Sequence, residues 1–435
     1  MTNFMRLFWY LNRGLHQLHW DKSQLQTYQE KNLRAVIKQA YDCVPFYRQK
    51  FTEAGIMPSD IKTVEDLHKL PIIRKDDIRH QEPSRLIAST TNPNTLSVVR
   101  TTGSTGKPIQ VFLSPKERDW RKAIYMRANL ACGQKVRDRW VAVTQPSHVS
   151  STPIQRRLGI FAQTCVSLFL SIDEQIRQVE KYRPDVLDGY SMWLYTLAKE
   201  TQNRGIKTIQ PRIIFGSSEF INARYIGFIE SIFQAPFCDQ FGCSEVNRTA
   251  WQCSKKEGYH IDVDSVVTEF VDVEGDNVSV GERGEILYTS LFNYAMPLIR
   301  YAVGDLGVPS DDECSCGVVL PLMKNVEGRT DSLIRLPNGS LLSPRIFSGA
   351  IDGFDLFNEI DEYKLVQKKV DQLRLLVVRK PSKTDKDMFS SRLTQYLAKS
   401  ARLNLEEIQL DVELVDNIGV GTGGKHRAII SEVTG

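Results

Sequence analysis

A loop rich in glycine, hydroxyl residues and lysine carries the donor groups needed to bind phosphate. Glycines let backbone N–H groups approach an anion closely, and hydroxyl and ammonium groups add further donors. The loop is not a P-loop, because its glycines are too closely spaced and Pro108 follows its lysine. The apolar run at residues 109–113 predicts a strand after the loop, where a P-loop has a helix. The loop consists of Thr101, Thr102, Gly103, Ser104, Thr105, Gly106 and Lys107.

Two further polar motifs follow segments of α/β character. The first, Gly216, Ser217, Ser218 and Glu219, comes directly after the apolar run at residues 213–215, which predicts a buried strand. Ligands in α/β proteins bind at the carboxyl ends of such strands. The second motif ends in a glutamate whose carboxylate suits Mg²⁺, although a glutamate after a serine is equally typical of a helix N-cap. The second motif consists of Gln240, Phe241, Gly242, Cys243, Ser244 and Glu245.

The last third of the chain contains three more candidate motifs. Residues 297–301 precede a Gly-Asp pair that contains Asp305, and Arg329 lies in a Gly-Arg-Thr-Asp turn. Aspartate is common in such turns for backbone reasons, so these positions alone do not define a site. The last motif ends at Lys425 and has the glycine and lysine spacing of a P-loop, but His426 stands where Ser or Thr is required. Only ten residues follow Lys425, too few for a P-loop helix and sheet.

These motifs, in this order, resemble those of the adenylate-forming enzymes, the superfamily of acyl-CoA synthetases, peptide-synthetase adenylation domains and luciferases. Within it, the chain is most similar to the branch of phenylacetate-CoA ligases and capsule-biosynthesis proteins, and the resemblance covers most of the chain. It implies an α/β fold with a large N-terminal adenylation domain of layered α/β structure and a β-rich subdomain, at residues 1–330. A small mobile α+β domain at residues 331–435 would carry Lys425.

The resemblance also implies roles for the motifs in binding ATP. The loop at residues 101–107 would bind the β- and γ-phosphates, and Glu245 would ligate Mg²⁺. Asp305 would accept hydrogen bonds from the ribose hydroxyls, and Arg329 would donate to them. The other contacts to the adenine nucleotide would come from Ser217, Ser218, Glu219, Gln240, Phe241, Gly242, Cys243 and Ser244.

The implied reaction joins ATP to a small-molecule carboxylic acid. The acid attacks the α-phosphorus, pyrophosphate leaves, and the acyl-adenylate then passes its acyl group to coenzyme A. Lys425 and Glu245 would be the catalytic residues, and Lys425 would bridge the substrate carboxylate and the α-phosphate. Asp331 would be the hinge about which the C-terminal domain swings between the two half-reactions.

The chain departs from the family pattern at several positions. Ala302 stands where the family usually has a second arginine, and Phe241 stands where tyrosine is commoner. The segment between Thr144 and Ser167 lacks the glycine-rich stretches of aryl-CoA ligases and contains polar residues instead. This polarity favours an alternative in which an amine or hydroxyl of polysaccharide or natural-product assembly accepts the acyl group. A third hypothesis is a non-catalytic nucleotide-binding module, but the presence of both Glu245 and Lys425 argues against it.

Four of the Cys and His residues lie in polar loops with a spacing that can hold a metal. Cys253 and His260 lie in one glycine-containing loop, and Cys314 and Cys316 form a Cys-x-Cys-Gly turn in another. Three thiolates and one imidazole can complete a tetrahedral zinc site, although structural zinc more often uses Cys-x-x-Cys pairs. The related branch often carries this pattern, which implies a closed, structural Zn²⁺ site. We expect Cys43, Cys132 and Cys165 to be reduced thiols that pack as small hydrophobes.

The composition predicts a soluble enzyme. The chain has 435 residues, 41% of them hydrophobic and 25% charged, which is enough for a large core and a smaller second domain. The net charge of +4 is too small to indicate a nucleic-acid partner. No apolar run is long enough for a transmembrane segment and no signal peptide is evident, so we expect a cytoplasmic protein. The sequence leaves an oligomer possible.

The apolar pattern predicts the elements that position these motifs. Residues 1 to about 95 have helical spacing, and residues 96–240 alternate strand-like and amphipathic runs, which indicates α/β layers. Residues 260–300 indicate antiparallel strands, and a strand, a helix and a strand are predicted beyond residue 331. The aromatic segment at residues 4–11 is compatible with an interfacial membrane helix, although a helix docked on the protein's own core is commoner.

Overall fold

The computed structural model describes residues 2–100, 108–146, 149, 151–219, 221–419 and 428–433. The loop at residues 101–107 and Lys425 lie outside these residues. The chain divides into two compact units. The first comprises Met1–Ser218, Ile229–Val303 and Gly307–Asn325, and the second comprises Glu219–Phe228, Gly304–Leu306 and Val326–Gly435. The domain boundary expected at residue 331 stays a prediction.

Helices dominate the first ninety-five residues, as their apolar spacing predicts. Asp21 caps the helix Lys22–Cys43 by accepting a 2.8 Å hydrogen bond from the backbone N–H of Gln24, whose side chain bonds back to the Asp21 N–H. One face of that helix is buried, which fixes it on the core. The α-helices outside the C-terminal segment are α1 (Phe4–Gln17), α2 (Lys22–Cys43), α3 (Pro45–Glu53), α4 (Lys75–Arg79), α5 (Pro83–Leu86), α6 (Pro115–Ala131), α7 (Pro153–Leu158), α8 (Ile172–Tyr182), α9 (Ser191–Asn203) and α10 (Ala223–Phe233). Short 3₁₀ helices lie at Pro58–Asp60, Glu65–Lys69 and Pro93–Thr95.

Thirteen described strands precede residue 330, and eleven of them form one sheet. They are β1 (Ser97–Arg100), β2 (Gln110–Leu113), β3 (Trp140–Thr144), β4 (Gln163–Ser167), β5 (Val186–Tyr190), β6 (Ile213–Ser217), β7 (Phe237–Cys243), β8 (Asn247–Trp251), β9 (Tyr259–Ile261), β10 (Val266–Val271), β11 (Gly284–Ser290), β12 (Tyr301–Pro309) and β13 (Leu322–Arg329). The order of the large sheet is β10-β11-β12-β13-β9-β8-β7-β6-β5-β3-β4. β1 and β2 pair separately as a two-stranded antiparallel sheet.

The large sheet is parallel at one side and antiparallel at the other. β3 to β7 run parallel, and β3 and β5 are buried along their whole length because helices alternate with them in the chain. β8 reverses direction against β7, and β10 and β11 are antiparallel, which confirms the prediction for residues 260–300. The carboxyl ends of β6 and β7 carry the two polar motifs.

The C-terminal segment is an α+β structure, as its pattern predicts. It contains a four-stranded sheet in the order β18-β17-β16-β19, covered by two helices whose buried side chains include Phe347 and Phe389. A separate two-stranded pair, β14-β15, completes it. The elements are β14 (Ile334–Arg335), β15 (Leu341–Leu342), α11 (Pro344–Asp352), β16 (Ile360–Lys369), β17 (Gln372–Arg379), α12 (Lys386–Ser400), β18 (Gln409–Val415) and β19 (Ile429–Ser431), with 3₁₀ helices at Thr330–Ser332 and Phe357–Glu359. Within the described ranges, the longest and most apolar helices fall short of what crossing a membrane requires.

Candidate active site

The two motifs that follow β6 and β7 lie side by side. Ser217 pairs with Gln240 in the parallel register of these strands. The chain after Ser217 turns sharply, and Ser218 has a positive φ of 72°. The side chain of Gln240 is buried and donates to Asn129 at 2.7 Å, so this amide is committed to the core. Any contact of Gln240 with a nucleotide would therefore come from its backbone.

Two glycines leave room for groups that lie close to the backbone at these strand ends. A Cβ at Gly216 would overlap the ring of Phe237 on the neighbouring strand. A Cβ at Gly242 would overlap the backbone of Asn247 and Arg248 on the returning strand, where the register shifts by a bulge. Both glycines are therefore required by packing, and the second shapes the turn that holds Glu245.

Glu245 lies in the turn of the hairpin formed by β7 and β8. The alternative that Glu245 begins a helix as part of an N-cap is wrong, because Cys243 pairs with Asn247 and the chain returns as a strand. The Glu245 residue is buried, and the Tyr301 hydroxyl donates to its Oε1 at 3.4 Å. Burial and the Glu245 carboxylate raise the pKa of Tyr301 far above its usual range, so this phenol stays a neutral donor.

Arg121 of α6 fixes the backbone of the same turn. Its Nη1 donates to the carbonyl oxygen of Ser244 at 3.1 Å, and its Nη2 donates to the carbonyl oxygen of Glu245. The amide of Asn247 donates in return to the Arg121 carbonyl at 3.2 Å. No sequence signal marks Arg121, because α6 also carries Arg118 and Lys122 in the same turn and nothing in the sequence distinguishes the three cations.

The second unit brings together the predicted ribose-binding residues. Arg329 donates from Nη1 to Asp305 Oδ1 at 3.0 Å and from Nε to Asp331 Oδ1 at 3.1 Å. The Thr330 hydroxyl donates to the Gly304 carbonyl at 3.3 Å, which ties the two turns together. Asp305 is mostly buried and Arg329 is partly exposed. This arrangement places a carboxylate and a guanidinium next to each other, which suits vicinal hydroxyl groups.

Not every charged side chain in these motifs is free to bind a ligand. Arg300, next to Tyr301, is buried; it pairs with Glu269 at 3.0 Å and donates to the carbonyls of Leu70 and Gly275. Its role is therefore to hold the fold of the first unit. The loop at residues 101–107 and Lys425 lie outside the described residues, and Arg100 pairs with Gln110 across the base of that loop.

The four predicted metal ligands converge in the first unit. Trp251 of β8 pairs with His260 of β9, which brings Cys253 close to His260. Leu322 of β13 also pairs with His260, which brings the preceding loop, with Cys314 and Cys316, to the same place. The four ligand atoms all lie within 4.8 Å of one another. Cys253 Sγ lies 3.5 Å from Cys314 Sγ, and Cys316 Sγ lies 3.3 Å from His260 Nε2.

This donor set fits Zn²⁺. Tetrahedral thiolate and imidazole ligands of Zn²⁺ lie about 3.3–3.8 Å from one another, which agrees with both distances. Backbone N–H groups of Lys255 and Val318 point at the sulfurs of Cys253 and Cys316, at 3.4 and 3.5 Å. Burial opposes ionisation of Cys253, but hydrogen bonds, the strongest from His260, lower the pKa of its thiol to about 6. No open ligand position is needed, because the protein supplies all four donors.

Comparison with known proteins supports the resemblance. No protein-family model matches the chain. A phenylacetate-coenzyme A ligase from Thermus thermophilus is 26% identical over 322 residues, which is 72% of each chain. One from Aromatoleum evansii is 28% identical over 296 residues, covering 66% of this chain and 67% of that one. Protein CapK from Staphylococcus aureus is 25% identical over 397 residues, covering 85% of this chain and 81% of its own length.

The fold is shared with solved CoA ligases. A 2-hydroxyisobutyryl-CoA ligase in the postadenylation state with 2-HIB-AMP matches with a TM-score of 0.79 at 21% identity, over 95% of this chain and 91% of that one. An anthranilate CoA ligase with anthranoyl-AMP matches with a TM-score of 0.60 at 16% identity, over 80% and 68% of the two chains. The chain therefore has the fold of these adenylate-forming CoA ligases. In sequence it is similar to the phenylacetate-CoA ligases and to CapK.

Proposed function

We propose that this protein activates a carboxylic acid with ATP and Mg²⁺, releases pyrophosphate, and transfers the acyl group from the resulting adenylate to coenzyme A. The observation that carries the proposal is the pairing of Ser217 with Gln240, which aligns the two motifs proposed to bind the nucleotide directly before the buried Glu245 turn. An aryl or acyl acid is the proposed substrate class, in keeping with the phenylacetate-CoA ligases among the relatives.

The proposed chemistry needs charge to be stabilised on both sides of the α-phosphorus. A carboxylate oxygen forms the new P–O bond as the bond to pyrophosphate breaks, so the leaving group carries away the electron pair. Glu245 would hold Mg²⁺ against the phosphate oxygens, with Tyr301 and Arg121 keeping its carboxylate and backbone in place. The phosphate contacts of residues 101–107 and the bridging role of Lys425 rest on the family resemblance.

The second unit would bind the ribose. Asp305 would accept from the hydroxyls and Arg329 would donate to them, a division of roles consistent with their 3.0 Å contact. Asp331 remains the proposed hinge between the half-reactions. Its contact with Arg329 would link hinge position to ribose binding.

Coenzyme A is the proposed acceptor, and transfer to an amine or hydroxyl is the alternative. That alternative depended on polar residues between Thr144 and Ser167. Gln155 is buried and caps α7 through Thr152, and Arg156 and Arg157 point to solvent. These three side chains therefore lend no support to a polar acyl pocket, while Ser147 and His148 of the same segment lie outside the described residues. Transfer to an amine or hydroxyl is one outcome of the test below.

We further propose that Cys253, His260, Cys314 and Cys316 hold a structural Zn²⁺. The ion would cross-link the β8–β9 hairpin to the loop between β12 and β13. Its ligands adjoin a core that includes Leu18 and Leu25, so the site would also stabilise the packing of the N-terminal helices. It would take no part in the reaction of the bound substrate.

Pyrophosphate release tests the proposed function. The purified chain would be incubated with ATP and Mg²⁺ and with pools of aryl, fatty and amino acids, each with and without coenzyme A. We expect one pool to give release, coenzyme A to increase it, and Glu245→Gln to lower it by roughly a hundredfold. Release that coenzyme A leaves unchanged would indicate another acceptor, and no release with any pool would contradict the proposal.

A further inference from the structure

The first helix exposes a cluster of apolar side chains. Met5, Phe8 and Trp9 are 85%, 72% and 55% exposed, and Phe4 is 36% exposed. We call these four residues the α1 patch. The opposite face of α1 packs on the core, where Leu7, Tyr10 and Leu11 are buried in a cluster with residues of α6. The helix is therefore apolar on two sides, and a core contact accounts for only one of them.

The α1 patch is presented by a firmly held helix. The Arg6 side chain donates from Nε to Asp119 Oδ2 of α6 at 2.9 Å, and the backbone N–H of Asn3 donates to the same oxygen at 3.1 Å. The ring of Tyr10 meets the ring of Trp120 edge to face at 5.3 Å. These contacts fix the orientation of α1, so its exposed residues belong to the folded surface of the first unit.

The charged groups of α1 and of the adjoining start of α6 that reach the surface are cationic. α1 contains no aspartate or glutamate. The two carboxylates of α6 are buried: Glu117 accepts from three backbone N–H groups, and Asp119 is paired with Arg6. In contrast, Lys116 is exposed and follows Pro115, whose carbonyl oxygen accepts from Arg6 Nη2 of α1 at 3.2 Å. The guanidinium of Arg13 lies 5.4 Å from the ring centroid of Trp9. The surface thus offers apolar side chains with a rim of positive charge.

We propose that the α1 patch docks on the surface of an anionic lipid bilayer. Met5 and Phe8 would enter the boundary between headgroups and acyl chains, and Trp9 with Arg13 would lie at headgroup level. A second copy of this chain is a poorer fit, because a twofold contact through the patch would bring the positive charges of both copies into one interface. The contact is peripheral and leaves the first unit folded in water.

Vesicle flotation tests this docking. The full chain would be mixed with vesicles of phosphatidylcholine alone or of phosphatidylcholine with phosphatidylglycerol, and its floated fraction measured at low and high salt. We expect flotation only with the anionic vesicles, weakened by salt, and lowered roughly tenfold by the double variant Met5→Ser, Phe8→Ser. Val273→Ser is the matched control, because Val273 is 88% exposed elsewhere in the first unit. Equal melting temperatures would show that both variants are folded.

Three results would overturn the docking proposal. One is absence of flotation with anionic vesicles; another is flotation that the double variant retains in full. The third is a doubled molecular mass in solution that the double variant halves, without vesicle binding, which would assign the patch to a second copy. None of these readouts depends on catalysis, so they stand apart from the proposed ligase activity.

Discussion

Arg121 donates a 3.1 Å hydrogen bond to the carbonyl oxygen of Ser244, and its other terminal nitrogen binds the carbonyl of Glu245. The contact joins α6 to the β7–β8 turn across more than 120 positions of sequence. A guanidinium that binds two successive carbonyls restricts the backbone of that turn. The direction of the Glu245 carboxylate therefore depends on a residue that would not itself touch the substrate.

Arg121→Ala should impair the reaction through Mg²⁺. With the turn released, Glu245 would hold the ion less well, so the Mg²⁺ concentration for half-maximal pyrophosphate release should rise and the maximal rate should fall by roughly tenfold or more. Lys116→Ala, an exposed change on the same helix, is the control. A variant that merely melts earlier, with an unchanged Mg²⁺ dependence at low temperature, would make Arg121 a structural residue only.

Loss of Arg329 should act on nucleotide recognition. Arg329→Ala removes the donor and the positive charge beside the mostly buried Asp305 carboxylate, so the KM for ATP should rise by roughly tenfold. The preference for ATP over 2′-deoxy-ATP should shrink as well. Arg374→Ala is a matched control, because Arg374 pairs with Glu413 in the same unit at an exposed position. An unaltered discrimination between the two nucleotides would speak against ribose binding.

A buried carboxyl in β5 should make stability depend on pH. Burial raises the pKa of Asp188 to about 7. The 3.2 Å hydrogen bonds from Tyr125 and Trp140 lower this pKa, but they offset only part of the rise. The pKa of Asp188 is higher in the folded than in the unfolded chain. Its contribution to the free energy of unfolding is therefore fully present below pH 4 and is lost as the pH rises to about 7. Asp188→Asn should remove this loss.

Chemical denaturation across this pH range measures the effect. The free energy of unfolding of the parent chain should fall from pH 4 to pH 7 relative to that of Asp188→Asn, by about 1–4 kcal/mol. Asp239, whose pKa burial raises to about 6, is present in both proteins and cancels in the difference. Parallel curves for the two proteins would show that Asp188 does not titrate in this range.

Metal analysis should find one Zn²⁺ per chain bound by the Cys₃His cluster. Cys314→Ser should lose the ion and lower the melting temperature, since binding energy at a closed site contributes directly to folding. Cys43→Ser, which alters a half-buried thiol outside the cluster, should do neither. Normal zinc content in Cys314→Ser, or zinc-free parent protein with an unchanged melting temperature, would contradict the site.

The sequence predicts local features well, because they depend on neighbouring residues. Strands such as β6 and β17, and the helical first ninety-five residues, follow from apolar spacing. The role of Arg121 and the turn around Glu245 could not be predicted in this way. Both depend on long-range pairing, of α6 with the hairpin and of Cys243 with Asn247, and a local serine-glutamate pair is equally compatible with a helix start.

The metal cluster falls between these cases. Its residue types indicate zinc, but its spacing is unusual, and only the strand pairing that joins β9 to both β8 and β13 brings the ligands together. The spacing alone did not identify these four residues as a zinc site, and the prediction of zinc came from the family resemblance.

Transfer of oxygen-18 from a labelled carboxylic acid tests the central claim most directly. The acid identified by pyrophosphate release would be labelled in its carboxylate and incubated with ATP, Mg²⁺ and coenzyme A, and the products analysed by mass spectrometry. If an acyl-adenylate forms, AMP will carry a single oxygen-18 atom, because the carboxylate oxygen bound to the α-phosphorus leaves with AMP. Unlabelled AMP, or label in inorganic phosphate released together with ADP, would contradict the account.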